Sequence, residues 1–403
     1  MRFRSYLNSA ITILQSYNGN EPFHLFIKKY FSVNKKYGSK DRKQITSLCY
    51  NFFRLGKAAK NISAEEKILL GTFLCENKNS ELLKNLQTEW NDLIDDPLQK
   101  KISFISSQFS VQNIFPLKDE LSREIDAEKF NLSFLIQPQL FLRIRPNYKN
   151  KVLGKLLGAG IPYELATEDC ITLSNSSKIN DVLELDREAV VQDYNSQRIG
   201  EFLKLQTYLP DRQASNYKLQ TFKVWDCCAA SGGKSIMAYD IIPNIELTVS
   251  DKRASILNNL QKRFAKVGIQ KYNSFVADIT FNKNVQTAFS VQTGKFDLII
   301  CDAPCTGSGT WARTPEQLYF FKEQSIKKYA VLQKKILENI IPHVKPNGQL
   351  LYITCSVFKK ENEDVVNYIK AKYKFKIKRT EILKGYEMQA DTMFAALLIA
   401  PTE

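Results

Sequence analysis

From residue 221 onward, short apolar runs alternate with amphipathic segments of a dozen residues or more, and this alternation constrains the fold more than any other feature. Strands are expected at Thr221–Trp225, Ile245–Ser250, Asn273–Val276, Phe296–Cys301 and Gln349–Thr354. Helices are expected between most of them, notably over Ala254–Lys266 and Lys327–Ile341. Strands joined through helices imply right-handed crossovers and a mostly parallel sheet, hence an α/β block. In such sheets ligands bind beyond the carboxyl ends of the strands, where the strand order reverses. Polar residues at those ends are therefore the first candidates for function.

The preceding chain reads differently. Residues 1–130 are expected to be helical, most clearly from Ser39 to Gly56, where Ile45, Leu48, Cys49, Phe52, Phe53 and Leu55 recur at helical spacing. Ser39 is a candidate cap for the first turn and Gly56 for the last. Residues 1–60 hold twelve Lys/Arg against Glu21 and Asp41, a net of +10, whereas residues 61–130 carry a net of −5. A basic run of this kind suits a solvated helix face, and it equally suits a phosphate-binding surface. Between residues 131 and 205 a small α+β module is expected, with a strand at Phe141–Arg145 closed by Pro146 and a short helix over Lys151–Leu157. The expected divisions are thus 1–130, 131–205 and 206–403.

Composition excludes several classes. The 403 residues carry a formal charge of +15, with 57 Lys or Arg against 42 Asp or Glu. No run approaches the roughly 18 apolar residues of a membrane span, and Met1–Leu7 lacks the apolar core of an export signal, so a cytoplasmic protein is expected. The eight cysteines are then expected as reduced thiols. With only His24 and His343, and no C-x-x-C pair, a metal site is not expected.

Chemistry concentrates at the strand ends. Asp226-Cys227-Cys228-Ala229-Ala230-Ser231-Gly232-Gly233-Lys234 follows the first strand and opens a helix. Its small residues let a ligand approach the backbone, and the helix start offers free N–H groups. It has neither P-loop nor G-x-G-x-x-G spacing. Asp251 ends the second strand, where a carboxylate can accept from ribose hydroxyls; Asp278 follows the third and could meet an adenine amino group; Asp302 ends the fourth. Cys228 to Lys234, Asp251, Asp278 and Asp302 therefore describe a pocket for an adenosyl ligand without a polyphosphate, and S-adenosylmethionine fits. Cys305 and Cys355 also stand at strand ends, whereas Cys49, Cys75, Cys170 and Cys301 read as small buried hydrophobes.

These segments resemble the Sun family of RNA 5-methylcytosine methyltransferases, called Fmu in bacteria and including RsmB-like members. The matching residues are Asp226–Lys234, Asp302-Ala303-Pro304-Cys305-Thr306-Gly307-Ser308-Gly309, and Thr354-Cys355-Ser356 with Glu361-Asn362-Glu363. Arg313–Glu316, Gln333, Pro346–Gly348 and Asp391–Phe394 match further positions, as do Val191–Asp193 with Ser196-Gln197. Ser231 departs from the family's usual proline. The resemblance implies a Rossmann-like class I methyltransferase domain at residues 206–403, with S-adenosyl-L-methionine as cofactor and RNA as partner. It also assigns roles: Cys355 as nucleophile toward carbon 6 of cytosine, Cys305 in breakdown of the adduct, and Asp302 at the base.

Gly38–Arg42 with Leu48-Cys49-Tyr50 and Phe53-Arg54 resembles the NusB-like RNA-binding domain of small-subunit rRNA members, and residues 131–205 are expected to be RRM-like. The expected substrate is small-subunit (16S) rRNA, with tRNA as the alternative. A non-catalytic RNA-binding assembly factor is the competing reading from another class. The protein is expected to act as a monomer, away from any membrane.

Overall fold

The computed structural model describes residues 2–204, 221–283 and 295–402. Two compact units emerge. As the sequence pattern implied, the architecture is α/β, with a helical N-terminal region and a parallel-rich C-terminal sheet. The expected boundary between residues 205 and 206 lies outside the described residues.

The first unit comprises Met1–Leu121, Ile125–Pro138 and Thr310–Glu323. Its main helices are Arg2–Ser16, Phe23–Val33, Ser39–Arg54 and Ala64–Cys75. The helix predicted over Ser39–Gly56 is present, but Ser39 lies inside it. Gly38 precedes the helix instead, its N–H donating to the Asp41 carboxylate at 2.9 Å. Gly56 does follow the end, at a φ of +47°, where a side chain would collide with the Ile114 carbonyl.

The inclusion of Thr310–Glu323 is explained by packing. Phe320 meets the Tyr17 ring edge-on at 5.3 Å, and Tyr319 lies 5.6 Å from Phe53. The guanidinium of Arg54, 3% exposed, donates to the carbonyls of Phe134 at 2.9 Å and Ala312 at 3.1 Å. Burying a charge is tolerable only when its donors are satisfied in this way. Three distant chain segments thus converge on one side chain.

The second unit holds two sheets. In chain order the strands are β1 (Leu140–Ile144), β2 (Glu164–Thr167), β3 (Cys170–Leu173), β4 (Ala189–Val191), β5 (Phe222–Asp226), β6 (Ile245–Asp251), β7 (Asn273–Val276), β8 (Phe296–Asp302), β9 (Val344–Thr354), β10 (Lys376–Leu383) and β11 (Met393–Ile399). The smaller sheet is antiparallel, in the order β2-β3-β1-β4. Helix Lys149–Gly158 buries Val152 and Leu156 in the core it shares with Leu142, Ile144 and Ile171.

The larger sheet runs β10-β11-β9-β8-β5-β6-β7. β7, β6, β5, β8 and β9 are mutually parallel, and β11 is antiparallel to both β9 and β10. The chain therefore leaves β5 in one direction through β6 and β7, then returns to build β8 and β9 on the other side. The reversal falls between β5 and β8. Loops leaving adjacent strands in opposite directions open a crevice at their carboxyl ends.

Candidate active site

The loop after β5 is shaped by backbone conformation. Ala230 and Gly232 adopt φ of 46° and 85°. A side chain at Gly232 would press to 2.8 Å from the Phe264 ring, so only glycine suits the position. The loop is tied to both neighbours: the N–H of Cys227 donates to Ile300, that of Ala229 to Ser250, and that of Ala230 to the Asp251 carboxylate at 3.1 Å. Ser231, the departure from the family's proline, is held by Arg263, which donates to its carbonyl at 2.8 Å and its hydroxyl at 3.1 Å. A Cβ placed on Gly233 would meet nothing within 4 Å, so the first turn of helix Gly233–Ile241 faces open space. That combination suits an approaching ligand.

The strand-end carboxylates differ in their surroundings. Asp251 accepts from the N–H and Nε of Arg253, both at 2.9 Å. Burial alone would raise its pKa, but the hydrogen bonds from Arg253 outweigh it and hold the carboxyl below its ordinary range. Asp278 accepts from the Thr280 N–H at 3.0 Å and hydroxyl at 2.6 Å. Asp302 is paired with Lys234 at 3.1 Å, and Lys234 also donates to the Ser196 hydroxyl at 2.8 Å. Asp226 is fully buried and accepts from the Ser235 hydroxyl at 2.6 Å.

β8 and β9 lie side by side, and the residues that follow them meet. The sulfurs of Cys305 and Cys355 are 3.3 Å apart. Contact with Cys355, followed by burial, pushes the Cys305 thiol well above its ordinary pKa. Glu361 organises the two turns. It accepts from the Thr306 N–H at 2.9 Å and from the hydroxyls of Thr306 and Ser356. Gln333 donates to Glu361 and to the Pro304 carbonyl, both at 3.0 Å. Asn362 accepts from the Thr354 hydroxyl and donates to the Ser356 carbonyl. Gly309 fits against the Thr392 carbonyl so closely that a Cβ would fall 1.9 Å from it.

The predicted site residues thus gather at one sheet edge. Cys228 to Lys234 form the loop after β5, Asp251, Asp278 and Asp302 stand at or just past the ends of β6, β7 and β8, and Cys305 and Cys355 are in contact. Sequence reasoning gave no role to Glu361, Asn362 or Gln333. Their signal was present only as matched positions, because nothing in their spacing reveals that they bond to the cysteine turns.

Residues 217–402 match the family described as 16S rRNA methyltransferase RsmB/F. Over these residues, somewhat less than half of the chain, the sequence is similar to that family. The ribosomal RNA small subunit methyltransferase B of Shewanella oneidensis is 32% identical over 144 residues, covering 36% of this chain and 32% of that protein. The protein of the same name from an Enterobacter strain is 24% identical over 294 residues, covering 71% and 62% respectively. The chain therefore spans from about a third to somewhat under two thirds of the curated relatives it matches.

Among solved structures, PH0851 superposes with a TM-score of 0.66 at 19% identity, covering 98% of both chains. NSun6 from Pyrococcus horikoshii, solved with SFG, superposes at 0.57 with 13% identity over 73% of this chain and 98% of that one. At such identities the likeness establishes a shared fold. No helix among the described residues is long and apolar enough to cross a membrane.

Proposed function

We propose that the chain is an S-adenosylmethionine-dependent RNA cytosine-5 methyltransferase that acts on small-subunit rRNA through a cysteine adduct. The observation that carries this reading is the 3.3 Å contact between Cys305 and Cys355 at the carboxyl edge of the sheet. Two adjacent thiols beside a loop suited to an adenosyl ligand match a reaction that needs a nucleophile first and a release step afterwards.

Carbon 5 of cytosine is a poor nucleophile until a thiolate adds to carbon 6. Bound S-adenosylmethionine supplies an electrophilic methyl group. Cys228 to Gly233 present backbone to it, with Asp251 and Asp278 as acceptors for ribose hydroxyls and the adenine amino group. Cys355 forms the sulfur–carbon bond. Cys305, whose pKa is raised by its contact with Cys355, keeps its proton at this stage. After methyl transfer the carbon-5 proton passes to water, its bonding electrons re-form the carbon 5–carbon 6 double bond, and the sulfur–carbon bond breaks with its electron pair returning to Cys355. Cys305 assists that release. Asp302, anchored by Lys234, serves the base near its ring nitrogen 3 and stabilises charge in the adduct. The target cytosine must be unpaired or extruded to reach the thiols.

The RNA assignment is supported by the family description, by the names of the curated relatives and by the basic helices of residues 1–60. The test uses full-length protein with methyl-labelled cofactor and separate pools of unmodified small-subunit rRNA and tRNA. Label recovered as 5-methylcytosine in rRNA is the expected result. Label in tRNA alone would overturn the substrate assignment, and no label in either pool, nor in ribosomal particles, would overturn the activity.

A further inference from the structure

A second group of thiols lies at the carboxyl ends of β5 and β8. β5 and β8 are adjacent and parallel, with Asp226 opposite Ile300, so the next residues, Cys227 just past β5 and Cys301 near the end of β8, lie side by side. The Cys227 N–H donates to the Ile300 carbonyl at 2.9 Å and fixes that register. Cys228 follows immediately. The sulfurs of Cys227, Cys228 and Cys301 all lie within 4.8 Å of one another, and those of Cys227 and Cys228 are 4.0 Å apart.

Metal–sulfur bonds of about 2.3 Å place thiolates around one ion some 3.8 Å apart in tetrahedral geometry, and about 4.0 Å apart in trigonal geometry. The Cys227–Cys228 separation already has that spacing, and the other two lie within about 1 Å of it. Cys227 and Cys301 are fully buried, while Cys228 is partly exposed and offers a way in. Next in the chain, the buried Asp226 has an Oδ1 without a hydrogen-bond partner. The sequence concealed the arrangement because its ligands come from a vicinal pair and a distant strand end, with no C-x-x-C spacing.

We propose that Cys227, Cys228 and Cys301 form a binding site for one soft, thiophilic d10 metal ion of the Cu(I) or Zn(II) type. Thiolate donors select such ions. Binding replaces thiol protons, so up to three are released per ion. Because Cys228 opens the loop after β5 and Cys301 precedes Asp302, an occupied site would tie the two segments together. The site shares Cys228 with the proposed cofactor loop, whereas the proposed methyl transfer uses neither Cys227 nor Cys301.

The test titrates full-length protein, kept reduced by a phosphine rather than a thiol, with Cu(I) and separately with Zn(II) against chromophoric competing chelators. Either metal is expected to bind at one ion per chain. Binding should persist when Cys305 and Cys355 are both replaced by Ala, and disappear in Cys227→Ala and in Cys301→Val, made separately and checked for folding by circular dichroism. In the wild-type chain, bound metal should protect Cys227, Cys228 and Cys301 from alkylation, as read by mass spectrometry. The site is refuted by failure of both metals to compete, by loss of binding in the Cys305/Cys355 variant, or by alkylation of the triad at an unchanged rate in the loaded protein.

Discussion

Glu361 accepts the hydroxyl of Thr306 at 2.6 Å within a fully buried setting. The same oxygen accepts from Ser356 at 2.7 Å, so one carboxylate clamps the residue after Cys305 and the residue after Cys355. A glutamine there keeps the size but turns one acceptor oxygen into a donor, so the four hydrogen bonds cannot all persist. Glu361→Gln is expected to lower kcat for methyl transfer by about 100-fold, the scale of a misplacement near 1 Å. Cofactor affinity, measured by calorimetry, and KM for RNA should stay nearly unchanged. A proportional loss of cofactor binding would show that Glu361 supports the whole domain rather than the thiol pair.

Asp226 makes stability pH-dependent. Burial pushes its carboxyl from 3.8 up to about 7, against the lowering effect of the Ser235 hydroxyl. Between those values the folded chain binds this proton more tightly than the unfolded chain. The resulting stability is complete below pH about 4 and is lost as pH rises through about 7. Asp226→Asn removes the titration. Its unfolding free energy relative to wild type should therefore increase from pH 4 to pH 8, by at most about 4 kcal/mol at roughly 1.4 kcal/mol per unit. Denaturant unfolding at the two pH values measures this, and parallel behaviour of the two proteins would contradict it.

The basic helices can be tested without truncation. Removing residues 1–130 would strip the packing from Trp311 and Leu318, which are buried within the same unit. Lys35, Lys36, Lys40 and Lys43 are exposed, and replacing all four with Gln leaves that core intact. If they contact phosphates, the slope of log affinity against log salt for RNA should become shallower by about 0.7–0.9 per lost contact. Fluorescence anisotropy across a salt series reads this slope directly. An unchanged slope would remove these helices from the RNA-binding surface.

What the sequence revealed follows from how local each signal is. The parallel strands were legible because buried β5, β6, β8 and β9 are short apolar runs, and their ends fall within a residue or two of expectation. The start of β9 was hidden by Pro346-Asn347-Gly348, which reads as a turn yet lies inside the strand. β10 escaped notice because most of its residues are polar or partly exposed and its partner β11 closes the sheet antiparallel. The aromatic segment Tyr319-Phe320-Phe321 looked like part of the α/β block. Its placement against Tyr17 and Phe53 is a long-range packing outcome that no local pattern encodes. At the candidate site, residue types at strand ends singled out Cys305 and Cys355, which the fold brings into contact, while the supporting bonds of Glu361, Asn362 and Gln333 depend on the folded register.

The most direct test of the account separates the two touching thiols. Wild-type, Cys305→Ala and Cys355→Ala proteins are incubated with labelled cofactor and unmodified small-subunit rRNA, then run on a denaturing gel. Cys305→Ala is expected to accumulate a covalent protein–RNA band, while Cys355→Ala forms neither that band nor 5-methylcytosine yet still binds cofactor. Turnover retained by Cys355→Ala, or a covalent band formed without Cys355, would contradict the assignment of nucleophile and release group.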